Sequence, residues 1–300
     1  MGLFLAASYE ARYRSFIILP MNLLSPRKGA RRMAEIPQEI RQGINNGQLA
    51  TVNLVEFLAA DLSLLAPAVA RQIGLDPQHP ALLAAVDRLP GLKPMQRHRE
   101  VAQALWHAGR DDAESQRRLA AHPSDLARQW AAMQVGLNSA LALEVRLEKI
   151  RPFAADAHFG VREIAWLAVR DAVAAEVEVA LALLRPWVHE TDANLRRFAS
   201  ELTRPRGVWC VHLEALKVDP APGLKLLEPL RADLSRYVQN SVANWLNDAS
   251  KSRPDRVSEV CARWQQESDE KSTRYICTRG LRTLEKSKSP SKTVTKKTRK

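Results

Sequence analysis

The chemistry-bearing residues of this 300-residue chain gather in three stretches of its second half. The densest is Arg196–Trp209, which holds four arginines (Arg196, Arg197, Arg204, Arg206), the acid Glu201 and Trp209. On a helix starting near Ala193, Arg197, Glu201 and Arg204 lie at i, i+4 and i+7 and share one face. A carboxylate set between guanidiniums stays ionised, because both cations favour its charged form. Arginines at a helix end also suit phosphate clamping. Pro205 is expected to end the helix, and Gly207 to let the chain turn so that Trp209 folds back. The same pattern also fits a surface salt-bridge ladder.

The second stretch is Asn240–Lys251. Val242, Trp245 and Leu246 make an apolar stripe, with Asn240, Asn244, Asn247 and Asp248 on another side. Asn and Asp are mediocre helix formers, and such a local departure from propensity often marks a site. An Asn ladder between neighbouring repeats would need the same residues. The third stretch is His158–Trp166. There Phe159 and Trp166 fit a core, Arg162 and Glu163 are the charged members, and His158 alone signals little. The chain has no Gly-rich phosphate loop, no HExxH and no GxSxG. It shows no clustered His or Cys, so neither a metal nor a cofactor is expected.

Positioning these residues falls to helices. Glycine is scarce, and Ala, Leu, Arg and Glu abound, with no convincing period-2 alternation. The expected class is all-α. Thr51 or Asn53 is expected to cap a single helix carrying Leu54, Phe57, Leu58, Leu62 and Leu65, closed by Gly74, Pro77 and Pro80. Further helices are expected over roughly 81–89, 97–108, 111–121, 124–134 and 137–150.

The second half repeats. Phe159–Arg170, Asn194–Pro205, Tyr237–Asp248 and Tyr275–Lys286 share a pattern, and aligning Val161, Leu195, Val238 and Ile276 gives spacings of 34, 43 and 38. That is the length of a two-helix solenoid unit. Partner helices fall at Val177–Val188, Gly223–Leu230 and Arg256–Trp264. Asp192–Asn194 and Asp233–Ser235 supply caps. In this register Glu163 matches Arg197, Asn244 matches Glu201, and Asn247 matches Arg204. All should face the concave groove that such a stack presents.

The net charge of +12 points to a polyanionic partner, such as nucleic acid or an acidic membrane surface. Seven of those charges lie in Lys286–Lys300, where there is no acid after Glu285. Residues 286–300 read as a disordered basic tail that either adds nonspecific phosphate affinity or only solubilises. Residues 1–32 read as an irregular leader, with Met21 or Met33 as alternative starts. The repeat domain is expected over 33–285. Three cysteines without CxxC spacing fit a reducing cytoplasm. No apolar run approaches a membrane span, and the basic n-region of a signal peptide is missing.

At these residues the chain resembles the HEAT-like-repeat alkylpurine DNA glycosylases, in particular the AlkC branch. The matching motifs are Arg196-Arg197, Ser200-Glu201, Thr203–Arg206 and Trp209, then Ser241–Asn244, Leu246–Asp248 and Lys251. Asn45–Asp61 resembles the family's N-terminal helix pair. The chain departs from the pattern around Phe159, where the family has a Glu before the Phe and Arg-Pro after it. The segment from Phe159 to Arg197 is also longer than usual. The resemblance implies a right-handed α-solenoid of HEAT-like repeats, acting as a monomer on alkylated duplex DNA. It implies Glu201 and Asp248 as catalytic carboxylates, and Arg197, Arg204 and Trp209 at the lesion and its phosphates. Arg206, Glu163, Arg162, His158, Phe159, Asn244 and Asn247 complete the expected DNA-binding set. The activity implied is hydrolysis of the N-glycosidic bond of cationic bases of the 3-methyladenine or 3-methylcytosine type. A non-enzymatic HEAT-repeat scaffold for DNA or protein is the alternative; it needs no acid in a basic groove.

Overall fold

A computed structural model describes residues 27–288, and every regular element among them is helical. In the first half these are α1 (Gln38–Asn45), α2 (Leu54–Ala59), α3 (Leu62–Ile73), α4 (Pro80–Arg88), α5 (Pro94–Gly109), α6 (Ala113–Ala120), α7 (Asp125–Leu137) and α8 (Leu143–Ala154). The second half holds α9 (Phe159–Ala175), α10 (Val177–Leu184), α11 (Ala193–Leu202), α12 (Glu214–Val218) and α13 (Ala221–Leu227). It ends with α14 (Arg236–Ser250), α15 (Pro254–Glu267), α16 (Lys271–Gly280) and α17 (Arg282–Lys288). Short side chains start them: Asn53, Asp61, Asp112 and Asp192 each accept a backbone N–H in the first turn.

The expected helix from Leu54 through Leu65 is two helices. The chain breaks at Ala60, because Asp61 caps a new helix through Ser63 N while Asn45 Oδ1 holds the Asp61 backbone N–H at 2.9 Å. Asn53, not Thr51, caps the first; Thr51 turns inward onto buried Asp125. At the other end α17 runs to Lys288, into the stretch read as tail. The leader through residue 26, and residues 289–300, lie outside the described residues.

Helices α5, α7, α9, α11, α14 and α16 stack in one row, each packed on the next, and α6, α8, α10, α13 and α15 intervene in the chain. The aligned Val161, Leu195, Val238 and Ile276 are all buried in that row. The tightest step is α7 against α9. A Cβ on Gly136 would fall 1.8 Å from the Ala168 carbonyl oxygen, so only glycine lets these backbones meet. One continuous apolar core runs from Ile44 to Cys277.

A polar device recurs along the row. Arg128, Arg162 and Arg196, spaced by 34 residues, each fold back from the first turn of their helix. Each donates to two carbonyls of the preceding loop: His122 and Pro123, Asp156 and Ala157, Glu190 and Thr191. Gln239 does the same for the Asp233 carbonyl in the next helix. Arg128 and Arg196 also grip the following repeat, through Asp156 and Asp233. This ladder extends the repeat one helix upstream of the four aligned segments, to α7.

Two histidines are buried in the first half. His98 stacks on Phe57 at 4.6 Å and accepts Trp130 Nε1 on Nδ1. His122 accepts Ser124 N on Nδ1 and meets Gln72 through Nε2. Burial pulls both below the ordinary value near 6.5, to about 3 and about 4. The unfolded chain therefore binds more protons between those values and 6.5, and stability must fall as pH drops through that window. The expected slope approaches about 1.4 kcal/mol per pH unit for each histidine. Urea unfolding at pH 7 and pH 5 checks this; equal stabilities at the two pH values would contradict it.

Candidate functional site

Three successive row helices build the site. Helix α11 carries Arg197 at its middle and Glu201 in its last turn, on one face, and Arg204 follows two residues past the helix end. Helix α14 lies alongside, and Asp248 projects from its last turns. Two links fix the register between them. Trp245 Nε1 donates to the Thr203 carbonyl at 2.8 Å, and Ser200 Oγ donates to Ser241 Oγ at 2.6 Å.

Arg204 joins the two acids. Its Nη1 lies 2.5 Å from Glu201 Oε1, while Nε and Nη2 lie 2.8 and 2.7 Å from Asp248 Oδ2. Glu201 Oε2 accepts from Ser241 Oγ at 2.6 Å and lies 3.7 Å from Arg197 Nη2. Asp248 Oδ1 pairs with Lys251 at 3.1 Å. Both carboxylates are almost wholly buried, at 4% and 3% exposure. Burial alone would push the Glu201 carboxyl up. Arg204 and Arg197, with the Ser241 hydroxyl, outweigh it and hold the group below the usual carboxylate range. Glu201 and Asp248 in turn raise Arg204 against its own burial. Two acids from neighbouring helices are thus on one guanidinium.

The network continues sideways. Arg197 Nη2 is 2.5 Å from Glu163 Oε1, and its guanidinium lies 4.2 Å over the Tyr237 ring. Arg162 approaches the same ring at 5.1 Å. Trp166 Nε1 donates to Glu163 Oε2. Arg206 Nη2 reaches Ser252 beside Lys251, and its buried Nε has no partner among the described residues.

Other expected members stand elsewhere. His158 caps α9 through Gly160 N, and its Nε2 lies 2.5 Å from the Thr51 carbonyl oxygen, with buried Asp125 alongside. It ties the N-terminal segment to the row and is not brought to the acids. Phe159, half-exposed, stacks on it at 4.7 Å. Asn244 and Asn247 accept from Arg282 and Thr283, joining α14 to α17 in the manner of a repeat-stabilising ladder. Trp209 does not fold back: it is 83% exposed, and it, not Gly207, has the positive φ of 59°. Gly207 is needed for close approach instead, since a Cβ there would meet Cys210 Sγ at 2.3 Å.

Arg170 carries almost no signal in the amino-acid order. It is fully buried and donates to the carbonyls of Leu202, Arg204 and Val211, holding the whole loop after α11. Its only trace is a charge one turn past Trp166 on an apolar stripe. Ser241 stood out only as the first residue of the Ser241–Asn244 motif, with no role of its own, and Tyr237 only as a repeat-start aromatic. Among the described residues no three His, Cys, Asp or Glu side chains gather to hold a metal ion, and no helix is long and apolar enough to cross a membrane.

By fold, this is a helical-repeat protein of the HEAT-like class. Among solved structures it superposes on the Pseudomonas fluorescens alkylpurine DNA glycosylase AlkC bound to DNA containing an abasic site analog. The TM-score is 0.64 at 24% identity, over 74% of this chain and 62% of that one. AlkD2 from Streptococcus mutans matches with a TM-score of 0.52 and 20% identity, over 66% and 96%. In sequence, 97 residues are 43% identical to the uncharacterized protein YhaZ of Bacillus subtilis strain 168, covering 32% of this chain and 27% of that protein. The chain thus spans less than two thirds of the length of either AlkC or YhaZ. No protein-family model matches the chain.

Replacing Arg170 by Met should strip the carbonyls of Leu202, Arg204 and Val211 of their donor and release the loop. The expected loss of stability is on the order of 3 kcal/mol or more. Trypsin should then cut after Arg206 far faster than in the parent. Unchanged cleavage would show that the loop is held by other contacts.

Proposed function

We propose that the protein is a DNA glycosylase of base excision repair that hydrolyses the N-glycosidic bond of cationic alkylated bases, of the 3-methyladenine or 3-methylcytosine type, in duplex DNA. The observation that carries this reading is the pair of buried carboxylates, Glu201 and Asp248, brought from neighbouring helices onto one arginine. A protein that only bound DNA would gain nothing from acids there, because they repel phosphate. The likeness in fold to an alkylpurine DNA glycosylase bound to DNA supports it.

The chemistry follows from charge. A base alkylated to a cation is already a good leaving group and needs no general acid. What its departure requires is negative charge beside the oxocarbenium-like sugar, and a placed water. Glu201 and Asp248 supply the charge from two directions. Arg197, Arg206 and Lys251 face the backbone phosphates. Trp209, held outward at the rim, offers an aromatic face for an unstacked base. The working form is taken to be a cytoplasmic monomer that needs no cofactor.

Glu201→Gln and Asp248→Asn each leave one carboxylate on Arg204, so both variants should fold and bind DNA at least as well as the parent. Single-turnover release of 3-methyladenine from methylated duplex should fall by about 10²-fold or more, the scale for losing a preorganised electrostatic group. No release by the parent, or normal release by both variants, would favour a non-enzymatic scaffold.

Deleting Ser289–Lys300 should weaken binding to all duplexes alike and flatten the salt dependence, since the segment carries five cations and no acid. A salt slope that survives the deletion marks the segment as a solubiliser only.

A further inference from the structure

We propose that Arg204 is a displaceable counter-ion: its guanidinium holds the place of a planar cation between Glu201 and Asp248, and it moves onto a DNA phosphodiester when substrate binds. The inference rests on the glycosylase reading above.

While Arg204 stays where it is, the acids cannot act. Its Nε, Nη1 and Nη2 are all spent on the two carboxylates, whose side chains are 5% and 4% exposed. No cationic sugar or base can reach them past the guanidinium. The cluster holds no surplus of negative charge, and Arg170 and Arg282 add positive charge close by. Glu163, Glu201 and Asp248 face Arg197, Arg204 and Lys251, three acids against three cations. Acids so fully matched by cations offer little to an oxocarbenium, so the carboxylates must first lose a cation.

A phosphodiester can take that cation. It accepts the same fork of N–H donors that a carboxylate does. The neighbouring rim draws it in. Lys251 is 40% exposed, and Arg206 beside it adds a second cation, which reaches Ser252 through Nη2. The exchange needs only side-chain rotation, because the Arg204 carbonyl is pinned by Arg170 and its N–H by the Glu201 carbonyl at 3.3 Å. Charge is accounted for at each step: the Arg204 cation comes to balance a phosphate when duplex binds, and a substrate cation then takes its place between the carboxylates. The slot then opens to a planar cation only in the presence of nucleic acid. Free cations in solution do not occupy it.

Two measurements test this. In the wild-type protein, the Glu201 carboxyl is followed by carbon NMR across pH, with and without an undamaged duplex. Free, it should titrate below the ordinary carboxylate range. With duplex bound, burial acts against one guanidinium fewer, and the midpoint should rise by about one pH unit or more. A bound duplex that leaves the midpoint unmoved overturns the exchange while leaving glycosylase activity open, whereas absence of duplex binding defeats both readings. In Arg204→Ala, the emptied slot should accept guanidinium ion itself. Millimolar guanidinium chloride should raise the melting midpoint of the variant more than the same sodium chloride does, and should not do so in the parent. Equal responses to the two salts overturn the proposal. Should the variant fail to fold, the wild-type titration decides alone.

Discussion

Two carboxylates buried within reach of one guanidinium set the terms for the rest of this molecule. Each charge taken out of water costs several kcal/mol, and only close pairing with further hydrogen bonds offsets it. Glu201 meets that condition with Arg204, Arg197 and Ser241; Asp248 meets it with Arg204 and Lys251. The partners come from α11, from the loop after it and from α14, so their positions must agree to within a hydrogen bond. Much of the surrounding structure serves that agreement. Trp245 and Ser241 bolt α14 to α11, and Arg170 reaches from α9 to fix three carbonyls of the loop that carries Arg204.

The row that makes this possible is held in register by polar groups as much as by its apolar core. Arg128, Arg162 and Arg196 each close the loop ahead of their own helix, and two of them reach on into the next repeat. Hydrophobic contact is nondirectional and would tolerate a sliding of one helix along another. A guanidinium fork on two named carbonyls does not. Regular spacing of 34 residues therefore says something about geometry as well as ancestry of pattern: it repeats the same clamp at the same level of each helix.

What could be read from the amino-acid order divides along the same line. Helical periodicity and the buried Val161, Leu195, Val238 and Ile276 were legible, because face and spacing are local properties of a helix. So was the shared face of Arg197 and Glu201. The break before Asp61 was not, since apolar spacing from Leu54 to Leu65 continues across it and only the distant Asn45 decides the matter. Nor was the role of His158, whose partners Thr51 and Asp125 are far off in sequence. Asn244 and Asn247 carried a real departure from helix propensity, but it serves contact with α17. Trp209 shows the limit of turn reasoning: Gly207 does bring the chain close to Cys210, yet the left-handed residue is the tryptophan, which points it outward.

A site divided in this way also constrains how the fold can come to have it. No single helical hairpin contains both acids and the cation between them, because Asp248 lies 44 residues beyond Arg204. A lone hairpin would leave Glu201 and Arg204 as an ordinary half-exposed i, i+3 pair, worth little in water. Stacking the next repeat removes the water and adds the second acid. The attraction then strengthens because the local dielectric falls. Stability and charge arrangement are thus made in one step, when α14 closes on α11. The row helices must be long and well packed chiefly where they flank that step, which is where Trp245 and Phe198 are fully buried.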